Sequence, residues 1–340
     1  MSVVTDRKLS VKDYASDQEV RWCPGCGDYA ILKTIQKLLP ELGVKKENQV
    51  FISGIGCSSR LPYYMDTFGF HTIHGRAPAV ATGVRLANPD LDVWVITGDG
   101  DGLSIGGNHM IHALRRNVNM QIILFNNEIY GLTKGQASPT SKVGTISPST
   151  PDGSVDMPIS PCGLALGAGA RFVGRSIDTE MKQLSAVISR GYLHDGSSFI
   201  EIYQNCPVYN DGNFDYLKDK KLAADAQVVV EHGKPLLFGK ARDKGLRLNR
   251  DNFRLEVLNL GDDGVSEEDI LIHDETNKGL GLLLCEMTAP DFPVAVGVIY
   301  CNPGSAYVQD VYKQRIDIRS NKSKGDINKL LQSGNTWTVK

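Results

Sequence analysis

No apolar run in these 340 residues approaches the length of a membrane span. The start, Met1 to Ser10, is polar and lacks the apolar core of a secretion signal. The expected location is therefore the cytoplasm. Strong charge of either sign is missing too: 37 Lys and Arg face 39 Asp and Glu, a formal net charge of −2. That removes the usual reason to expect nucleic acid or an anionic membrane as partner. Internal repeats and low-complexity tracts are absent. The cysteines do not pair off. There are seven, and an odd number in a chain without an export signal argues against a disulfide framework. A soft-metal site is the better reading if some of them converge. What remains is ordinary for a folded protein: 41% hydrophobic and 22% charged residues. The length suits one large α/β domain plus an appendage.

The chain is expected to divide into a polar arm (1–20), an α/β domain (21–215) and a C-terminal extension (216–340). The spacing of Ile31, Leu32, Ile35 and Leu38 predicts a helix, ended by Pro40 and Gly43. Strands are predicted at Val50 to Ser53, Val93 to Thr97, Gln121 to Phe125, near Phe172–Val173, and at Phe199 to Tyr203. Helical patterns lie between them, around Gly106 to Arg116, Leu164 to Ala170 and Glu180 to Arg190. Wholly apolar strands alternating with helices indicate a doubly wound, mostly parallel sheet. Beyond about Asn213 the sequence is more charged and less periodic. It reads as a tail wrapping the domain or a partner subunit, with one strand near Val294 to Tyr300.

Two constellations carry chemistry. In the first, Gly98-Asp99-Gly100 follows one predicted strand and Asn126-Asn127 follows the next. One crossover helix separates them, so both side chains open into the same crevice at the strands' C-terminal ends. A carboxylate and an amide oxygen are hard ligands that suit Mg²⁺ shared with a phosphate. The glycines permit close backbone approach, and the helix that follows aims its N-terminus at an anion. Alone, Gly-Asp-Gly is equally a tight turn. The arrangement resembles the thiamine diphosphate motif, which implies Asp99, Asn127 and the carbonyl of Ile129 as Mg²⁺ ligands. Asp101 is the alternative to Asp99, which directly follows the strand.

The second is Cys23-Pro24-Gly25-Cys26. By itself it is a redox dithiol, half of a zinc site or part of an iron–sulfur site. Cys57 and Cys206 each follow a predicted strand, and four irregularly spaced thiolates suit a [4Fe-4S] cluster.

Here a resemblance adds its weight. Trp22 to Gly27, Gly54-Ile55-Gly56-Cys57-Ser58, His71 to Arg76, Gly98 to Gly102, Asn126 to Gln136 and Asn205-Cys206-Pro207 resemble, in order, the β subunit of 2-oxoacid:ferredoxin oxidoreductases. The match covers most of residues 20 to 215. His232 to Pro235 and Phe238-Gly239-Lys240 resemble the type acting on 2-oxoglutarate. The resemblance implies one [4Fe-4S] cluster on Cys23, Cys26, Cys57 and Cys206, with Cys162, Cys285 and Cys301 outside it. It implies thiamine diphosphate near Gly56, His74, Gly98, Gly100, Asp101, Gly102, Leu132 and Thr133. It also implies an α subunit in an αβ or α2β2 assembly, with ferredoxin, coenzyme A and 2-oxoglutarate as partners. The implied reaction is oxidative decarboxylation to succinyl-CoA and CO₂, or its reverse. Arg60 is a candidate for the substrate carboxylate, through its planar guanidinium fork. His74 and His71 are candidates for polar contacts, and Lys134 for the diphosphate. The alternatives are a pyruvate or broad-range enzyme, a non-oxidative thiamine-dependent decarboxylase, and an iron–sulfur electron carrier.

Overall fold

Neighbouring residues of the central strands bury their side chains in two different cores, the period-2 alternation of extended chain. Val50, Ile52, Val93, Val95, Ile122 and Leu124 enter one. Phe51, Trp94, Ile96, Ile123 and Phe125 enter the other. A strand buried on both faces has no room for polar alternation, hence its unbroken apolar run. The computed structural model describes residues 9–321 and 325–339. In chain order its strands are β1 (Gln49–Ser53), β2 (Phe68–His71), β3 (Asp92–Gly98), β4 (Met120–Asn126), β5 (Phe172–Ile177), β6 (Ser197–Tyr203), β7 (Gln227–Val230), β8 (Leu237–Phe238), β9 (Lys244–Asn249), β10 (Arg254–Asn259) and β11 (Val294–Cys301). Eight form one sheet in the order β2-β1-β3-β4-β6-β5-β11-β7. The run from β2 to β5 is parallel throughout. The last pair, β11 and β7, is reversed.

Helices α1 (Asp28–Leu42), α2 (Ala77–Ala87), α3 (Gly107–Arg115), α4 (Pro161–Gly167) and α5 (Met181–Tyr192) cover both faces. Ala77, Ala81, Met110 and Leu114 of α2 and α3 pack on one face. Ile31, Ile35, Leu184 and Ile188 of α1 and α5 pack on the other. Full burial of such a Leu or Ile side chain contributes about 1.5–3 kcal/mol. This is the doubly wound α/β architecture that the sequence indicates.

Four differences have physical causes. Pro40 does not end α1; it lies in the last turn, and the stop is Gly43, whose φ of 68° no other residue type adopts as easily. Strand β2 carries no burial signal, since Phe68 and Phe70 on this sheet edge are exposed. Helix α2 is built largely of small residues and gives a weak apolar stripe. Beyond residue 215 the chain is more than a wrapping tail. It gives β7 and β11 to the main sheet and folds β8, β9 and β10 into a three-stranded antiparallel sheet. A helix at Lys278–Cys285 puts Leu280 and Leu284 into the same core as α4. The arm also docks in part: Tyr14 is fully buried and Ala15 bridges Met65. Residues 1–8 lie outside the described residues. Among the described residues no helix is long and apolar enough to cross a membrane.

Candidate functional site

The chain leaves β1 for β2 on one side and returns to β3 on the other, so the strand order reverses there. A crevice opens at such a point, at the strands' C-terminal ends. It is lined by Ile55, Gly56 and Cys57 after β1, Gly98 to Asp101 at the end of β3, Asn127 and Ile129 to Thr133 after β4, Gln204 after β6, and His74.

Asp99 sits at its floor, 2% exposed. Its Oδ2 accepts hydrogen bonds from Ser138 Oγ at 2.6 Å and Thr140 Oγ1 at 2.7 Å. Burial pushes its carboxyl up to about 6, and these hydroxyls oppose the shift by stabilising the anion. After Gly100 the helix widens: Gly106 N–H reaches back five residues to the Asp101 carbonyl at 3.1 Å, a π-type turn of the kind found at functional sites. A side chain at residue 100 would collide with the Tyr130 ring, which instead donates its hydroxyl to the Gly100 carbonyl at 3.1 Å.

Asn126 and Asn127 fold the next loop by the same device. Asn126 Oδ1 accepts from Glu128 N–H and Asn127 Oδ1 from Ile129 N–H, each at 3.2 Å. Such side-chain turns hold tight backbone without a regular element. They set Glu128 at a φ of 55°. Burial lifts the Glu128 carboxyl to about 7, against the pull of Lys142. Asn127 lines the cleft; Asn126 is buried beneath it.

Asp101 is differently placed. It accepts from Ile55 N–H at 3.1 Å, Gly75 N–H at 2.7 Å and Thr97 Oγ1 at 2.6 Å, so it ties three segments together. His74, partly exposed, sits 3.2 Å from its Oδ1. His71 is held at Ser53 Oγ, 3.1 Å, and the Gly54 carbonyl, 3.3 Å. Arg60 donates from Nε to Tyr64 Oη at 3.0 Å and does not line the cleft. Lys134 is exposed at a φ of 78°.

The four cysteines come from three loops that are tied to one another. Trp22 Nε1 donates to the Cys57 carbonyl at 2.8 Å, and Gly27 N–H donates to the Asn205 carbonyl at 3.3 Å. Cys57 and Cys206 both face Gly131. A Cβ on that glycine would stand 3.6 and 3.5 Å from their sulfurs, in ordinary contact with both. Among the described residues no three His, Cys, Asp or Glu side chains are gathered closely enough to grip a single ion. The four thiols still stand near enough to act on one another, Cys57 and Cys206 on Cys26 and Cys206 and Cys23 on Cys57, and four thiols so placed suit a cluster. Burial pushes the Cys57 thiol up to about 12, with Asp28, Cys206 and Cys23 adding to it and Arg60 opposing. Cys26 is raised further by burial and Asp28. Thiolates in this setting need a compensating cation, which iron would supply. Cys162 and Cys285 are buried elsewhere, and Cys301 lies 3.9 Å from His194.

The donor set at the first constellation also fits its group. A carboxylate, an amide oxygen and the Ile129 carbonyl are hard oxygens on one cleft, as Mg²⁺ requires. Sequence reasoning missed Ser138, Thr140, Tyr130 and Gln204. The first two sit in what reads as an ordinary Pro/Ser loop. Gln204 could have been suspected only from its place beside Cys206.

The family model for the C-terminal TPP-binding domain of thiamine pyrophosphate enzymes matches residues 54–202. The 2-oxoglutarate oxidoreductase subunit KorB of Mycobacterium tuberculosis is 48% identical across 98% of this chain and 90% of its own length. The 2-oxoglutarate synthase subunit KorB of Methanocaldococcus jannaschii is 44% identical over 55% of this chain and 70% of its own. A solved structure of 2-oxoglutarate:ferredoxin oxidoreductase from Magnetococcus marinus, with 2-oxoglutarate, coenzyme A and succinyl-CoA bound, superposes with a TM-score of 0.77. Its identity is 33%, over 96% of this chain and 97% of that one.

Proposed function

The chain belongs to the family of 2-oxoglutarate:ferredoxin oxidoreductase β subunits, and from that premise we propose that it couples decarboxylation of 2-oxoglutarate to electron transfer through the cleft described above. The products are succinyl-CoA and CO₂, with ferredoxin as acceptor, and the reaction runs in either direction. Thiamine diphosphate would supply an electron sink for breaking the bond to CO₂, and a [4Fe-4S] cluster would supply one-electron chemistry. Asp99, Asn127 and the Ile129 carbonyl hold Mg²⁺, and Cys23, Cys26, Cys57 and Cys206 hold the cluster. Gly56, Gly98, Gly100, Leu132 and Thr133 form the cofactor's walls, and Gly102 packs behind them against Thr97 and Leu124. Asp101 fixes the loops around it and orients His74. Arg60, held outside the cleft on the Cys57 loop, would reach the second carboxylate of the substrate only by swinging from Tyr64. An α subunit, in an αβ or α2β2 assembly, covers the cleft and helps bind coenzyme A. The setting is the cytoplasm.

One observation carries the reading. Gln204 receives Asn127 Nδ2 at 3.0 Å and donates to Cys26 Sγ at 3.3 Å, so a single side chain joins the hard-oxygen site to the thiol site. A decarboxylase without redox chemistry has no use for the thiols, and an electron carrier has no use for Asp99. The test is reduction of ferredoxin or a viologen by this chain purified with its α subunit. Reduction that needs both 2-oxoglutarate and coenzyme A supports the proposal. Equal rates with pyruvate would move the substrate assignment to the broad-range type. No reduction by a complex loaded with thiamine diphosphate and iron would overturn it.

A further inference from the structure

We infer that Arg175 and Glu201, an ion pair buried under the sheet's C-terminal edge, are positioning residues for the turn that carries Asn127. The inference rests on the proposed reading of the cleft as a thiamine diphosphate site. Neither residue lines that cleft. Arg175 on β5 and Glu201 on β6 stand opposite each other in register. Arg175 Nε donates to Glu201 Oε2 at 2.7 Å, with side chains 2% and 0% exposed.

The pair does not end there. Glu201 Oε1 accepts from Asn126 Nδ2 at 2.8 Å. Glu201 pairs with Leu124 on β4, so Asn126 is its diagonal neighbour on the same face, within reach of a long side chain. Because Asn126 Nδ2 points at Glu201, its Oδ1 must point the other way. There it takes Glu128 N–H and lies 3.0 Å from Thr140 Oγ1. Thr140 has one hydroxyl hydrogen and two acceptors, Asn126 Oδ1 and Asp99 Oδ2. The turn holding Asn127 is thus referred to Glu201 through Asn126, while Thr140 packs the carboxylate of Asp99 against that same amide and donates to one of the two at a time.

The carboxylate is the right group for that place. It only accepts, and donors meet it from both sides: Asn126 on Oε1, and Arg175 with the Cys162 thiol at 3.1 Å on Oε2. Burial keeps the Cys162 thiol protonated and able to donate. An amide at residue 201 would turn an N–H₂ toward one of these donor sets and leave it unmet. A buried ion pair is weak grounds for stability, since apolar residues often replace one without loss. Orientation of Asn126 is something apolar residues would not supply.

The test uses the complex of this chain with its α subunit. Three quantities are measured: calorimetric affinity for thiamine diphosphate with Mg²⁺, melting temperature, and visible iron–sulfur absorbance. Glu201→Gln should weaken thiamine diphosphate binding about ten-fold with the absorbance unchanged. Asn126→Ala leaves the Arg175–Glu201 contact in place and should weaken binding to a similar degree, which keeps the test alive if Glu201→Gln fails to fold. The double variant Arg175→Met/Glu201→Gln should recover most of the affinity, because the new amide can then offer its oxygen to Asn126. Affinity that falls only in step with melting temperature and iron content, without recovery in the double variant, would overturn the inference. So would variants that bind as well as a wild type that binds. A wild-type complex that binds no thiamine diphosphate would overturn the cleft reading itself.

Discussion

Asn127 and Gln204 are joined by a hydrogen bond of 3.0 Å across two loops that leave neighbouring strands, β4 and β6. The other end of Gln204 reaches the Cys26 sulfur. Gln204→Leu breaks both contacts and keeps the volume. The lost neutral bond is worth about 0.5–1.5 kcal/mol, so affinity for thiamine diphosphate should fall about two- to ten-fold. The reduction potential should drop as well, since a hydrogen bond to a cluster sulfur favours the reduced state. Calorimetry and a redox titration read the two effects. An unchanged potential would detach Gln204 from the cluster.

Each of Cys23→Ala, Cys26→Ala, Cys57→Ala and Cys206→Ala should abolish the visible iron–sulfur absorbance. Alanine offers iron no ligand. Cys162→Ala, Cys285→Ala and Cys301→Ala should leave it intact, because these thiols lie apart from the loops at Gly131. Iron and sulfide analysis decides. A Cys57→Ala protein with its full iron content would refute the assignment.

Asp99→Ala should lose Mg²⁺-dependent binding of thiamine diphosphate while the cluster stays. Removing a carboxyl raised to about 6 by burial takes away an anion the fold holds at a disadvantage without a cation nearby. The melting temperature should therefore change little. Full cofactor content in this variant would move the metal to Asp101.

Arg60→Leu should lower catalytic efficiency on 2-oxoglutarate by about 1.5–3 kcal/mol, the range for charge-assisted hydrogen bonds. Efficiency on pyruvate should fall much less. Among the described residues the Arg60 guanidinium makes one hydrogen bond, from Nε to Tyr64, and its two terminal nitrogens suit a carboxylate's geometry. An equal loss on both acids would give Arg60 a role in the common chemistry or the structure.

The sequence showed most plainly what burial made uniform. Strands β3 and β4 were legible because both faces are covered and the apolar run is unbroken. The places of Asp99 and Asn127 on one cleft were legible because each stands one residue past such a strand. Strand β2 was hidden by its exposed edge, and α2 by its small residues. Ser138 and Thr140 were hidden for another reason: nothing in a Ser-Pro-Thr loop says which carboxylate it will fold against. Strand β11, apolar and buried almost throughout, was legible near Val294 to Tyr300, whereas β7 was not, being four residues at the sheet's edge with Val229 exposed.

Distance along the chain governs when the site can exist. Asp99 is held by hydroxyls 39 and 41 residues downstream, and Cys26 meets Gln204 across 178 residues. Contacts of such separation form only after long loops have closed. A growing chain released residue by residue has neither complete site until Cys206 has emerged, although Cys23 and Cys26 have been free almost from the beginning. On the proposed reading, loading with metal would follow synthesis of the sheet as far as β6, and a chain cut short before that point would carry Cys23, Cys26 and Cys57 without the fourth thiol, Cys206.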